Sequence, residues 1–240
     1  MKHPFRSHIL PFFTVGAGGL GFALRLWLFS AYDEKGLLPA KHPAGTLLFL
    51  LSAVVLGILF LATRKLEPRS IDKNTLRPVN AIACILSGIA LTISTVASLD
   101  STFEKLELVA LVLNLTGVLT MFLMAFFEFR GKKLVYWQPA VLTIVLMVNA
   151  IALCRIWGKE PQLQVYFFPM MASVFLMLTA YQKTALLLRK GKRSLLAFFS
   201  QSAAFFCCLS FVGQHKIFYC GLFLWAVMQI FSCIPRKKES

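Results

Sequence analysis

Two arginines within otherwise apolar stretches are the first residues of this sequence that could do chemistry. Arg25 stands in LRLWLFS and Arg155 in CRIW, each two residues before a tryptophan. If both guanidinium groups face the interior of a helical bundle, they attract anions at one mouth of a cavity. The commoner alternative is that both extend to the headgroup layer, beside acidic residues that act as counter-charges. The sequence leaves both interpretations open.

Uncharged polar residues in three other apolar stretches form a second set of candidates. Asn80, Asn114 and Gln201 carry the largest of these side chains. Polar groups surrounded by lipid must find hydrogen-bond partners, so we expect these side chains to point into a bundle. They predict either hydrogen bonds between helices or a polar pocket for a substrate.

Two ionisable residues lie near the ends of apolar stretches. Glu128 and Lys183 are placed so that a pair between them would clamp two helices together. The commoner alternative is that each side chain extends to water. Lys183 belongs to the polar triplet YQK, and we retain it as a candidate binding residue.

One connecting segment, YDEKGLLPAKHPAG, is rich in different polar side chains. Asp33, Glu34 and His42 in this segment are candidates for contact with a ligand. The alternative is a solvated connector with no binding role.

No pattern of residues in the sequence predicts catalysis. The HExxH and GxSxG motifs are absent, as are paired glutamates within an apolar stretch. The six cysteines form no CxxC pair, and no histidine has a partner four residues away. We therefore expect no catalytic residue, no metal site and no cofactor, and lean against an enzyme.

The glycines at 16, 18 and 21 match the GxGxxG pattern of dinucleotide-binding proteins. That fingerprint requires a preceding strand, whereas these glycines lie in the middle of a long apolar stretch. The small pairs Ala17/Gly21 and Gly19/Ala23 instead predict that another helix approaches closely.

Composition indicates a membrane environment. The chain has 240 residues, of which 58% are hydrophobic and 15% charged, and its mean hydropathy is +0.73. Soluble proteins carry about 25% charged residues. The net charge of +15 comes from short basic clusters between apolar runs, which favours membrane topology over nucleic-acid binding.

Eight stretches are long enough, or nearly so, to cross a hydrocarbon core of about 30 Å as helices. They cover 8–30, 45–63, 79–98, 108–129, 139–157, 168–188, 195–213 and 217–234. The sequence predicts an all-α, polytopic integral membrane bundle that forms one domain over 1–240, with a short tail at 235–240.

Lysine and arginine are concentrated on alternate connections, starting with the N-terminal segment and ending with the tail. This asymmetry predicts that both termini are cytoplasmic. The short connections are typical of a bacterial protein of the cytoplasmic membrane. Its expected partners are the lipid bilayer and either further copies of itself or another membrane subunit.

The halves 1–130 and 131–240 share a sequence of features. Each has an R-x-W motif, then a proline (Pro43, Pro169), then an RK pair (Arg64, Arg189). Four helices in each half would give a parallel tandem repeat. Chance recurrence is the alternative, because tryptophan and basic residues commonly mark membrane interfaces.

Three function classes fit these observations. A transporter or permease for small solutes, with anions as one substrate class, predicts a cavity that touches the asparagines, Gln201 or the two arginines. A non-catalytic accessory, sensory or regulatory subunit predicts a solid bundle with an exposed stripe of small residues on the first helix. A membrane enzyme that acts on a lipid is the third class.

Overall fold

The computed structural model describes residues 5–31, 42–64, 77–97, 105–132, 134–157, 163–213 and 216–233. All regular secondary structure in these ranges is helical. The helices are α1 (Phe5–Ser30), α2 (Pro43–Arg64), α3 (Arg77–Ala97), α4 (Lys105–Phe129), α5 (Trp137–Trp157), α6 (Leu163–Leu187), α7 (Arg193–Leu209) and α8 (Lys216–Cys233). The predicted all-α, multi-pass bundle is confirmed.

Six of the eight helices, α1 to α6, are long and apolar enough to span a membrane. The remaining two described helices, α7 and α8, are shorter. The 17 residues of α7 extend about 25 Å at 1.5 Å per residue, somewhat less than a bilayer core of about 30 Å. α7 begins two residues before and ends four residues before the stretch 195–213 that the sequence predicts.

The short helix α7 is at the centre of the bundle. It contacts α1, α2, α6 and α8, and all of its residues 200–209 are buried. The helices α3, α4, α5 and α6 pack in chain order, and α8 lies beside α3 and α7. The surrounding helices shield residues 200–209 from lipid, which explains why the polar residues among them are tolerated.

Glycines allow the closest approaches between helices. A Cβ atom at Gly21 of α1 would lie 2.6 Å from Cδ1 of Leu209 on α7. A Cβ atom at Gly221 of α8 would lie 2.3 Å from Cβ of Ala90 on α3. Both distances are too short for a side chain, so Gly21 makes room for the Leu209 side chain and Gly221 lets α8 approach α3 closely.

Pairs of contacts give the helix directions. Asn80 and Gly88 of α3 contact Glu128 and Phe122 of α4 respectively, so α3 and α4 are antiparallel. Thr14 and Gly21 of α1 contact Gln201 and Leu209, so α1 and α7 are parallel. Further contacts bring the ends of α2, α4 and α6 and the start of α7 to one end of the bundle. We call it the basic end because Arg64, Arg130, Arg189 and Arg193 lie there.

Candidate functional site

A cluster of buried and half-buried polar side chains lies between four helices near the basic end. We call it the basic-end cluster and define it by Asn80, Cys84, Glu128, Lys183, Trp225 and Gln229. The first two residues belong to α3, the next two to α4 and α6, and the last two to α8. Because these four helices are consecutive or adjacent in the bundle, their polar residues meet in one place.

Three of these residues form a hydrogen-bond network. Asn80 Nδ2 donates to Glu128 Oε1 at 2.9 Å. Gln229 Nε2 donates to Asn80 Oδ1 at 3.4 Å and to the carbonyl oxygen of Trp225 at 3.3 Å. The network connects α3, α4 and α8, and a bond to a carboxylate is stronger than one between neutral groups.

Lys183 is the exceptional member of the cluster. Its side chain is only 8% exposed, so it does not extend to water. Nζ lies 5.8 Å from the ring centroid of Trp225 and has no hydrogen-bond partner among the described residues. A nearby aromatic ring stabilises an ammonium group, but a buried ammonium without acceptors still carries a large desolvation penalty.

Trp225, like Lys183, has a buried donor atom without an acceptor among the described residues. Its side chain is fully buried, and Nε1 lacks an acceptor within the described part of the chain. Buried tryptophan N–H groups usually find a hydrogen-bond partner. Two unsatisfied donors therefore lie close together on α6 and α8.

Glu128 and Lys183 do not form the direct clamp that the sequence allows. No ion pair joins them in the structure, and Glu128 is instead bonded to Asn80. Both residues nevertheless belong to the same cluster, because Lys183 lies against Trp225 and Asn80 joins Glu128 to Gln229. The cluster thus contains opposite charges in one neighbourhood that do not neutralise each other by contact.

Arg25 lies on the opposite side of the bundle from this cluster. It is 1% exposed, so its side chain lies inside the protein and not in the headgroup layer. Its Nη1 donates to the carbonyl oxygen of Leu209, and its Cζ is 5.5 Å from the ring centroids of both Phe29 and Phe168. The carbonyl groups at a helix C-terminus carry partial negative charge, so Arg25 stabilises the end of α7.

Arg155 has a different environment. It lies in the last turn of α5 and is exposed. Arg25 is thus buried and Arg155 exposed, and their joint position at the mouth of a cavity stays a prediction. The tandem repeat that would relate them stays a prediction.

Asn114 and Gln201 take part in two separate helix contacts. Asn149 Nδ2 of α5 donates to Asn114 Oδ1, and Thr14 Oγ1 of α1 donates to Gln201 Oε1. Asn114 is 14 residues from Glu128, which corresponds to about 21 Å along α4. Each of these two candidates therefore bonds to a neighbouring helix, and Asn114 lies away from the basic-end cluster.

The candidates in the polar connecting segment are only partly described. His42 Nδ1 accepts a hydrogen bond from the backbone N–H of Ala44 at 3.3 Å, and its ring lies 5.4 Å from that of Trp27. This bond satisfies one of the free N–H groups in the first turn of α2. Asp33 and Glu34 lie outside the described residues.

Sequence reasoning missed the contribution of α8 to the cluster. Trp225 and Gln229 are four residues apart and so share one face of the helix. Trp225 is also near the middle of α8, whereas a tryptophan of the interfacial belt lies near a helix end. The position of Trp225 in the middle of an apolar stretch was therefore the sequence feature that could have indicated its place in the cluster.

The described residues contain no group of three histidine, cysteine or acidic side chains that could hold a metal ion. Comparison with protein-family models, curated proteins and solved structures finds no match to this chain. The function must therefore be argued from the geometry of the basic-end cluster.

Proposed function

We propose that this multi-pass membrane protein is a transporter or permease for a small solute, and that the basic-end cluster is part of its solute site. The observation that carries the proposal is the buried Lys183 side chain, whose Nζ has no hydrogen-bond partner among the residues that the structure describes. Ionisable groups within membrane domains are costly, and they commonly mark the paths of substrates or ions.

A purely structural role does not account for Lys183. The hydrogen bonds of Asn80 already connect α3, α4 and α8 without it. On α6, Ser173 is bonded to the hydroxyl of Tyr219 on α8 at 3.1 Å. The helices that surround Lys183 are therefore joined by other contacts, and an apolar residue at 183 would pack there without the penalty of a buried charge.

The arrangement also suggests how the site would open. Asn80, Glu128 and Gln229 bind α3, α4 and α8 into one unit, while Lys183 extends from α6 without a bond to that unit. A pivot of α6 about its bond between Ser173 and Tyr219 would move Lys183 relative to α8 and leave the network intact. Many transporters operate by such movements of one group of helices against another.

The proposed orientation places the basic end in the cytoplasm of a cell whose cytoplasmic membrane holds the protein. Support comes from the positions of Arg64, Arg130, Arg189 and Arg193, which all lie at that end. Cytoplasmic connections of membrane proteins are enriched in lysine and arginine. In this orientation both termini are cytoplasmic and the solute site lies near the inner surface.

Counterflow in proteoliposomes tests the proposal. Proteoliposomes that contain the purified protein are loaded in turn with small organic acids, amino acids and inorganic anions. The exchange of each internal compound for its labelled form outside is followed. We expect protein-dependent flux of at least one compound, with a loss of about tenfold or more in Lys183→Met if a charge-assisted contact is removed. The matched control is Lys190→Met, because Lys190 is exposed at the same end. Equal flux in Lys183→Met and wild type would contradict the proposed site, and no flux in a folded protein would contradict transport.

One observation favours a second candidate, an accessory or regulatory membrane subunit. Gly16, Gly19 and Ala23 form an exposed face of α1, and no atom lies within 4 Å of a Cβ placed at either glycine. Small residues let two membrane helices approach closely. Native mass spectrometry of the gently extracted protein decides this point. A stoichiometric second polypeptide would support the subunit, and a protein that is alone or homo-oligomeric would favour the stand-alone transporter.

A further inference from the structure

We infer that the basic-end cluster binds an oxyanion, the carboxylate or phosphate group of its ligand, between Lys183 Nζ and Trp225 Nε1. The inference rests on the proposed function, for which it names the chemical class of the substrate. Its first basis is that both side chains are at least nine-tenths buried and both lack an acceptor among the described residues. An ammonium group offers three donors and an indole offers one, and neither can accept.

The second basis is that three acceptors of the cluster already have donors from within it. Asn80 Oδ1 accepts from Gln229, Glu128 Oε1 accepts from Asn80, and the carbonyl oxygen of Trp225 accepts from Gln229. The missing complement is therefore a group rich in acceptors. Carboxylate and phosphate oxygens form strong charge-assisted bonds with an ammonium group, which would offset the penalty of burying Lys183.

The surrounding charges define the ligand further. The arginines of the basic end attract anions toward this side of the bundle. The Glu128 carboxylate lies in the same cluster, because Asn80 joins it to Gln229, one helical turn from Trp225. It opposes the accumulation of negative charge, so we expect a single oxyanion group and not a polyanion.

The oxyanion can come from a free solute or from the headgroup of an anionic lipid, and the test separates these sources. Purified full-length protein is titrated with inorganic phosphate and, separately, with acetate, using chloride at equal ionic strength as the reference. Thermal unfolding gives the apparent Kd because a ligand that binds only the folded state raises the Tm. We expect saturable stabilisation of the wild type by at least one of the two anions.

Three variants test the residues. Lys183→Met should raise the apparent Kd about tenfold or more, because it removes the charged donor. Trp225→Phe retains an aromatic ring beside the ammonium and removes only the N–H group, so we expect a smaller increase. Lys190→Met should leave the Kd unchanged. If Lys183→Met does not fold, Trp225→Phe still tests the assignment.

Native mass spectrometry tests whether the oxyanion belongs to a lipid headgroup. An anionic phospholipid retained by the wild type and lost in Trp225→Phe, without any response to phosphate or acetate, would assign the oxyanion to a lipid headgroup. No anion response and no retained lipid would overturn the inference. Flux of a neutral or cationic solute without anion binding would contradict this inference alone, whereas anion binding without flux of any solute would contradict transport alone.

Discussion

Arg25 of α1 donates a hydrogen bond to the carbonyl oxygen of Leu209, the last residue of α7, across 184 positions of sequence. The contact joins the first helix to the end of the central one. The guanidinium group also lies beside the rings of Phe29 and Phe168. A side chain that the sequence marks as a candidate for anion binding thus stabilises a helix end.

Replacement of this arginine should destabilise the protein. We expect Arg25→Leu to lower the free energy of unfolding by about 1.5–3 kcal/mol, because the carbonyl group of Leu209 loses a charged donor within the protein. Arg155→Leu is the control, since that residue is exposed at the end of α5. Thermal unfolding in one detergent gives the comparison, and equal Tm values for the two variants would contradict this role of Arg25.

The contact between α3 and α8 should be sensitive to a single methyl group. Gly221→Ala places a Cβ atom 2.3 Å from Cβ of Ala90, so we expect a loss of about 1–3 kcal/mol from overpacking. Ala90→Gly should restore much of that loss in the double variant, because it removes the opposing atom. Gly57→Ala is the control, since no atom lies within 4 Å of its Cβ position. Failure of Ala90→Gly to compensate would refute the steric explanation.

The bond between Asn114 and Asn149 should appear as a coupling energy. Either single change to leucine leaves one half-buried amide without the bond between the two helices, while the double change removes both amides. We expect a double-mutant cycle of unfolding free energies to give coupling of about 0.6–2 kcal/mol, the range for hydrogen bonds between membrane helices. Additive effects of the two changes would show that the bond contributes nothing to stability.

Removal of the negative charge at position 128 should strengthen anion binding. Glu128→Gln keeps an amide oxygen that can accept from Asn80 Nδ2 and removes the charge that repels the ligand. We expect a severalfold lower Kd for the anion that stabilises the wild type, measured by the same thermal titration. A higher Kd in Glu128→Gln would show that the carboxylate helps to bind the ligand, for example by accepting a hydrogen bond from a donor group of the ligand.

The helices themselves follow closely from the sequence. The predicted stretch 45–63 corresponds to α2 at Pro43–Arg64, because a long apolar run between proline and basic residues has well-marked ends. The helix neighbours could not be predicted in the same way. Most of these helices are apolar on every side, so the pattern of residues does not identify which side meets which partner.

The candidate site was predictable only in part. Asn80, Glu128 and Lys183 stand out as polar residues in apolar stretches, but the sequence does not show that the first two are bonded and the third is not. The burial of Arg25 depends on where α7 ends. That end lies four residues before the end of the predicted stretch 195–213. Every residue has a backbone carbonyl group, so the residue type at position 209 does not indicate that its carbonyl oxygen accepts from Arg25.

The central position of α7 has a consequence for synthesis in the cell. α7 is made seventh of the eight described helices, yet it is the main contact that α1 and α2 have outside their own pair. Chains emerge from the ribosome N-terminus first, so α1 and α2 stay in the membrane without their main partner until α7 is inserted. A nascent chain that stops after α6 would hold two helices without their docking partner and would be a target for quality-control proteases.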